Sequence, residues 1–405
     1  MEVDVLIVGL GPAGASAFAK LAELAGDELR ILAIDKRAKP GFPVQCGEFM
    51  PSPKEMSFLM PEVPNAEQFF VFEDRFIGAA TDKISFFSPI GKAIITPFEG
   101  YSINRGEWNA QLVKRGVKNG AEVWVNACAI AMRSGQVAVQ RHQDKSPVTV
   151  NAKVIIGADG VNSRIAAWAG LDEKRGPNDF AICKEHLMEI PSESYDPTDV
   201  QMFFGREYSP GAYAWIIPKS DHTANVGTGA RLPAMRARMT VSKVLNNLIE
   251  KHIIASKTLK GARILETIGG TVPVGLPFQR TVDLKKKILL LGDASCQVVS
   301  NVGGGIPTSM VAGAIAAQTI SDHFKYNRSL ANYEIEWQKQ MLAMFKRAYR
   351  IRQFFDKIST GKDSRIQWYM NRLSSKNIDA VVHGRVPWKL KLAEPFVPFV
   401  NRYIN

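Results

Sequence analysis

A chain of 405 residues, 46% hydrophobic and 22% charged, has the profile of an ordinary globular protein and the length for two or three packed layers. Its longest uncharged apolar runs, such as Ile288–Gly292 and Met310–Ile320, fall short of the ~20 residues of a membrane span, and its four cysteines (Cys46, Cys128, Cys183, Cys296) form no CxxC pair and no zinc spacing. Net charge is +12, yet residues 325–405 hold 16 basic and 6 acidic side chains, so +10 sits there and the preceding 324 residues are nearly neutral.

Val3–Gly9 alternates and then runs apolar through Val5-Leu6-Ile7-Val8, as a buried parallel strand does, with no basic leader before it. Gly9-Leu10-Gly11-Pro12-Ala13-Gly14 follows, then a small-residue helix over Ala15–Ala25 and a second strand over Leu29–Ile34 ending in Asp35. That is one βαβ unit. Residues 69–98, rich in Phe, Ile and Thr with Pro and Gly punctuation, read as antiparallel strands. Gly106–Gly120 is an amphipathic helix, Val123–Val125 a strand, and Val154–Ile156 a short apolar strand ending in Gly157-Ala158-Asp159-Gly160. Strand signals recur between 178 and 275, at Gln201–Phe204, Ala212–Ile217 and Ala224–Thr228. Lys287–Leu291 returns to the buried-strand pattern before Gly292-Asp293, a Gly-rich loop and the helix Pro307–Phe324. Residues 330–378 read as helical, with Ile335, Leu342, Phe345, Tyr349 and Phe354 on a common apolar side, and 386–404 mix Trp, Phe and Pro with Lys.

Gly9-x-Gly11-x-x-Gly14 lies between a strand and a helix, with Asp35 21 residues beyond Gly14. The glycines permit the turn, the approach of a pyrophosphate and tight helix packing, while the helix N-terminus supplies free N–H groups and a positive dipole end. Asp35 is placed to accept hydrogen bonds from a ribose and to disfavour a 2′-phosphate. Asp159-Gly160 and Gly292-Asp293 each close a buried strand, where α/β sheets bind ligands. A second such glycine pattern is absent, which favours a resident cofactor over a bound nicotinamide.

In combination these motifs resemble the p-hydroxybenzoate-hydroxylase-like flavoproteins, and the resemblance turns the dinucleotide into FAD. Asp35-Lys36-Arg37 and Pro43-Val44-Gln45-Cys46-Gly47-Glu48 are similar to the segment after the second strand in the geranylgeranyl reductase family. Asn104-Arg105 stands where those enzymes have an Arg near the flavin, and Pro210-x-x-Tyr213-x-Trp215-x-x-Pro218, followed by Lys219, resembles their substrate-lobe signature. The resemblance spans residues 3–320 and is strongest to the archaeal-type branch, which saturates prenyl chains of membrane lipids. Two departures stand out: Ile217 where the family usually has Phe, and Val299-Ser300 where it has Asp-Pro. Tyr213 to Pro218 also partly resembles the Trp-x-Trp-x-Ile-Pro signature of flavin-dependent halogenases.

The fold so implied is α/β: a Rossmann-like FAD-binding lobe (1–65, 100–177, 278–328) interleaved with an antiparallel-sheet substrate lobe (66–99, 178–277), plus a basic C-terminal helical region (329–405). The expected cofactor-binding set is Gly9, Gly11, Pro12, Ala13, Gly14, Asp35, Lys36, Cys46, Gly47, Glu48, Arg105, Ala129, Asp159, Gly160, Gly292, Asp293, Gly304, Gly305 and Ile306, with no metal. Tyr213 and Trp215 alternate, so both point to one face of a strand. They are either core aromatics or the wall of an apolar pocket facing the isoalloxazine.

An isolated prenyl double bond is not electrophilic, so a proton must accompany the hydride. The donor must hold its proton at neutral pH, as Cys (about 8.5) and Tyr (about 10) do and an exposed Glu (about 4.3) does not. Cys46, Tyr213 and Trp215 are therefore the catalytic candidates. Phe69–Phe72 and Phe86-Phe87 are candidates for an apolar tunnel. The basic C-terminal region suits an anionic membrane surface, with Trp388, Phe396 and Phe399 among Lys389 and Lys391, or an acidic ferredoxin. No nucleic-acid-binding motif is present. A cytoplasmic protein, peripheral on the membrane, follows as the expectation. The competing functions are a flavin-dependent monooxygenase or halogenase, and a flavin electron carrier without turnover.

Overall fold

Val5-Leu6-Ile7-Val8 has no polar face to offer water, so it must be covered on both sides, and Val5, Leu6 and Ile7 are wholly buried. In the computed structural model, which describes residues 1–133, 135–191, 193–359 and 361–385, this run is the middle of a mostly parallel sheet. The chain divides into two compact units. The first comprises Met1–Val44, Arg105–Arg175 and Gly275–Lys346, the second Gln45–Asn104, Gly176–Val274 and the chain from Arg347 onward. Residues 45–65, expected with the cofactor lobe, thus group with the second unit, and the basic C-terminal stretch is divided between the two.

In the first unit the strands follow the order Val282–Asp283, Ile288–Leu290, Val148–Gly157, Glu2–Val8, Ile31–Ile34, Glu122–Trp124. Glu2–Val8 pairs in parallel with both neighbours, Val8 standing opposite Ile34 on one side and Gly157 on the other. The ends of three strands are therefore level, and the glycine and aspartate motifs leave them along one edge. A hairpin of Ala127–Arg133 and Gln136–Arg141 extends Val148–Gly157 in antiparallel fashion. Helices Pro12–Ala25 and Ile306–Tyr326 run side by side and parallel: Ser16 Oγ donates to the Met310 carbonyl (2.9 Å) near one end, and Lys325 Nζ to the Leu24 carbonyl (2.9 Å) near the other.

The second unit is built on an eight-stranded sheet in the order Arg263–Pro273, Phe180–Glu189, Thr223–Ala230, Ala214–Pro218, Asp199–Phe203, Ile77–Phe87, Ala93–Ile103, Phe49–Pro51. Every pairing is antiparallel except that of Asp199–Phe203 with Ile77–Phe87. Side chains alternate between its faces. Met188, Ala214, Ile216, Ala224 and Val226 join Leu245 and Leu248 of the helix Val241–Lys251 in one core. Trp215 and Ile217 pack on the opposite face with Ile84, Phe98 and Val200.

Several sequence expectations change in detail. Phe69 and Phe70 end a 3-10 turn over Ala66–Phe70, so residues 69–72 are not strand. Several strands escaped sequence reading, among them Phe180–Glu189, Arg263–Pro273 and the hairpin strands Ala127–Arg133 and Gln136–Arg141. The charged run Lys184-Glu185-His186 masks the alternation of the first. In the C-terminal helices the buried side chains include Tyr333, Trp337, Met341 and Phe345, whereas Ile335 is 58% exposed. A π turn over Gln338–Leu342 adds a residue to the turn and rotates the apolar stripe away from the phase a regular helix would have. Trp388, Phe396, Phe399, Lys389 and Lys391 lie outside the described residues.

Candidate functional site

The first unit concentrates its unusual backbone at the level ends of its strands. Gly9 has φ +96°, and a Cβ there would lie 2.4 Å from the Ala158 carbonyl oxygen. A Cβ on Gly14 would lie 1.9 Å from the Gly9 carbonyl oxygen. Neither obstacle can swing aside, because both are main chain. The Gly9–Gly14 turn is thus closed on itself and on the Ala158-Asp159 segment. Beside Gly11 and Gly160 there is open space within 4 Å of where a Cβ would sit.

Gly11 is the N-cap of helix Pro12–Ala25, contributes no capping side chain, and the first turn holds no acidic residue. Its first N–H groups and dipole are left for an outside acceptor. The Asp35 carboxylate, 6% exposed, accepts the Leu10 N–H through Oδ2 and the Arg37 N–H through Oδ1, each at 2.8 Å. It fixes the glycine turn while each oxygen keeps further accepting capacity. Asn109, fully buried, donates from Nδ2 to the Leu10 carbonyl (2.8 Å).

The other motifs meet the same edge. Gly292 (φ +62°) has Ala13 Cβ and Ser309 Oγ each 2.9 Å from where its own Cβ would be, and Gly313 is pressed as closely on Ala13 and Ala17. Only glycine lets the two parallel helices bring their N-termini together here. Gly305 caps the second helix, and a Cβ on it would lie 3.4 Å from Asp293 Oδ1. Burial raises Asp293 to about 6, against the opposing pull of Arg105 and Arg175. Val299 donates its N–H to the Gly304 carbonyl (2.9 Å), and Ser300 Oγ donates to the Gly275 carbonyl (3.0 Å), so the departing pair closes and anchors the glycine loop. Asp159 caps the helix Arg164–Ala169, accepting from Ser163 Oγ (2.5 Å) and the N–H groups of Arg164 (2.8 Å) and Ile165 (3.2 Å). Arg105 and Ile306 are buried, Lys36 is exposed, and Ala129 offers its carbonyl to Arg164 Nη1 (3.4 Å).

Cys46, Gly47 and Glu48 fall in the second unit, where they lie on the sheet face that carries Tyr213 and Trp215. Trp215 stands opposite Gly227, which in turn pairs with Glu185. A Cβ on Gly227 would be 2.4 Å from the indole, so its absence lets the ring cross a whole strand. Trp215 Nε1 then donates to Glu185 Oε2 at 2.7 Å, in a buried setting. Over this pair sits Gly47: its Cβ would be 2.9 Å from Ile217 Cδ1, 3.4 Å from Glu185 Oε2 and 3.5 Å from Trp215 Nε1. Asn225 Nδ2 holds the loop through the Gly47 carbonyl (3.1 Å), Lys219 forms a short ion pair with Glu48, and the Glu48 N–H donates to Cys46 Sγ (3.2 Å).

Electrostatics on this face are dominated by burial. Burial raises Glu185 to about 7, with Glu48 and Glu266 adding to the rise and Trp215 and Lys219 opposing it. Cys183, two residues earlier on the same strand, is pushed up to about 12 by burial, and Glu185 and Cys46 add to the effect. Tyr213 is likewise held well above the usual phenol range, by burial first. Sequence reading singled out Cys46, Gly47, Glu48, Tyr213 and Trp215 but missed Glu185 and Asn225. The available signal was the alternation Cys183-x-Glu185 and a glycine opposite the tryptophan.

Residues 179–272, nearly all of this sheet's central part, match the geranylgeranyl reductase catalytic domain. Over 367 residues, 89% of this chain and 88% of the relative, the sequence is 33% identical to digeranylgeranylglycerophospholipid reductase 2 of Methanopyrus kandleri. The chain belongs to the geranylgeranyl reductase family. As a member of that family it is a flavoprotein oxidoreductase. Its fold matches the geranylgeranyl bacteriochlorophyll reductase-like protein of Thermoplasma acidophilum with a TM-score of 0.79 and 25% identity, covering 100% of this chain and 99% of that one. The halogenase PltM, solved with FAD, shares the fold alone, at a TM-score of 0.66 and 16% identity over 91% of this chain and 79% of that one. Within the family frame, both the glycine edge and the Cys46–Glu48 face lie in the part of the chain its relatives share.

Proposed function

We propose that the chain is an FAD-dependent reductase that saturates C=C bonds of geranylgeranyl chains in archaeal-type isoprenoid lipids. The observation that carries this reading is family membership across nine-tenths of the chain, with a relative named for a digeranylgeranylglycerophospholipid. The glycine edge supports FAD, because its backbone is arranged as a cradle that any side chain would fill. The Gly9–Gly14 turn and the two helix N-termini would hold the pyrophosphate, and Asp35 a ribose. Asp293, Gly304, Gly305 and Ile306 belong to the same set, with Arg105 offsetting negative charge near Asp293.

When bound and reduced, FAD supplies a hydride. The chain's own residues then orient the prenyl group, exclude water and deliver a proton. Trp215 and Ile217 are buried in an apolar cluster with Ile84, Phe98 and Val200, which gives an isoprenoid site on this face an apolar backing. Cys46 or Tyr213 is proposed to lie on the proton route, Cys46 from the loop pinned over that face. The basic character of residues 325–405 supports a peripheral seat on an anionic membrane or docking of an acidic ferredoxin. Among the described residues no helix is long and apolar enough to cross a membrane.

Anaerobic incubation of the dithionite-reduced protein with digeranylgeranylglycerophospholipid, followed by mass spectrometry, tests the reading. Products heavier by steps of two hydrogens are expected. An unchanged lipid mass would refute it, and oxygenated or chlorinated products formed with oxygen would favour the monooxygenase or halogenase alternative. Flavin that bleaches with dithionite but recovers with no substrate would point to an electron carrier.

A further inference from the structure

We propose that Glu185 stores the proton consumed in the reduction, positioned for that task by Trp215 and the Cys46–Gly47 loop. The inference rests on the reading of the site as a prenyl-chain reductase. Glu185 lies mid-strand on the face that carries the family's aromatic pair, and only 4% of it is exposed. One carboxyl oxygen accepts the Trp215 indole N–H at 2.7 Å, and a Cβ on Gly47 would lie 3.4 Å from that same oxygen. Both glycines that allow this, Gly47 and Gly227, would otherwise put a Cβ within 3.5 Å of the Trp215 indole. A carboxyl so enclosed is poorly placed as surface charge and well placed to exchange a proton with the overlying loop.

The groups acting on it are Trp215, Glu48 from the loop, Lys219 beyond the end of the Trp215 strand and Glu266 from Arg263–Pro273; Glu185 in turn raises Cys183 on its own strand, which also senses Cys46. Burial is the largest influence and keeps Glu185 protonated up to about 7, where a general acid is most effective. Cys183, at about 12, and Tyr213 hold their protons too firmly to match it. In the step, the carboxyl O–H bond would break and its proton add to one alkene carbon; FAD, when bound and reduced, would supply the hydride to the other, so that two C–H bonds replace the π bond. The carboxylate then regains a proton from solvent.

The test compares reduced wild type, Glu185→Gln and Trp215→Phe, mixed anaerobically with digeranylgeranylglycerophospholipid while flavin reoxidation is followed against pH. The wild-type rate is expected to fall about tenfold per pH unit above a midpoint near 7. Glu185→Gln, which keeps an acceptor for the indole, should be about 100-fold slower at low pH and lose that dependence. Trp215→Phe removes a bond that favours the ionised carboxyl, so its midpoint should move upward. Infrared spectra of the substrate-free protein should show, beside the Asp293 band titrating near 6, a second buried-carboxyl band titrating near 7 in wild type and missing in Glu185→Gln. Glu185→Gln with the wild-type rate and pH profile, or with the titrating band intact, overturns the proton assignment alone. Wild type that no lipid reoxidises overturns both the reductase reading and this inference.

Discussion

The glycine edge of the first unit and the polar sheet face of the second are both places where glycine permits close approach, but the approach serves different ends. At the edge, Gly9, Gly14 and Gly313 bring main chain against main chain, and what is presented is backbone N–H and helix dipole. On the sheet face, Gly47 and Gly227 bring main chain against side chains, and what is presented is a buried carboxyl with a tuned proton affinity. A backbone site is intolerant of an added atom wherever main chain closes on main chain. A side-chain site tolerates some repacking and is governed by titration.

The contrast is sharpest under substitution. Gly14→Val would drive a side chain into the Gly9 carbonyl, which cannot move without opening the turn. Strain of about 1–3 kcal/mol borne by the cradle weakens FAD binding by roughly 5- to 150-fold. Titration of apoprotein with FAD measures it, and wild-type affinity in Gly14→Val would break the comparison. Gly227→Val acts on the other region by displacing the Trp215 indole and stranding Glu185. Overpacking there should lower stability by about 1–3 kcal/mol, read as a fall in the denaturant midpoint. FAD affinity per folded molecule is expected to stay near wild type. An equal loss of affinity would show that the two regions are not separable in this way.

The same difference decided what could be read without coordinates. A backbone site leaves a contiguous trace, because the glycines, the strand before them and the acidic residue after them are fixed by spacing. Gly9–Gly14, Asp35 and Gly292-Asp293 were therefore legible. Glu185 was not. Lys184-Glu185-His186 has the composition of a solvated surface, and only the pairing of Glu185 with Gly227 and of Gly227 with Trp215 reveals an indole reaching across a strand. Ile335 failed for a related reason, since a single π turn shifts helical phase without any mark in composition.

Titration reaches both regions. Glu185 in the folded protein is raised to about 7 from an ordinary 4.5, and Asp293 to about 6 from 3.8. A carboxyl whose folded value lies above its unfolded one favours folding when protonated. That contribution is complete below about pH 4 and is lost as pH rises through the folded value. Between about pH 4 and 8 the apoprotein should lose roughly 3 kcal/mol through Glu185, on top of whatever other groups contribute. Denaturant unfolding of wild type and Glu185→Gln across this range isolates the difference. If the two curves stay parallel, Glu185 ionises normally and the account of its burial fails.

The smallest effect concerns the departure from the family pattern at Val299-Ser300. Ser300, 5% exposed, donates its hydroxyl to the Gly275 carbonyl, and Val299 donates its N–H to Gly304, so the pair braces the glycine loop ahead of helix Ile306–Tyr326. A bracing hydrogen bond of this kind contributes about 1 kcal/mol. Ser300→Ala should therefore cost about that much stability, while FAD affinity falls by about fivefold at most if the loop keeps its shape. A brace and a ligand contact predict different readouts, since only the second would change the flavin absorption spectrum. A shifted spectrum in Ser300→Ala with unchanged stability would move the residue from scaffold to cofactor contact. It would also make the local departure from the family pattern a matter of flavin chemistry.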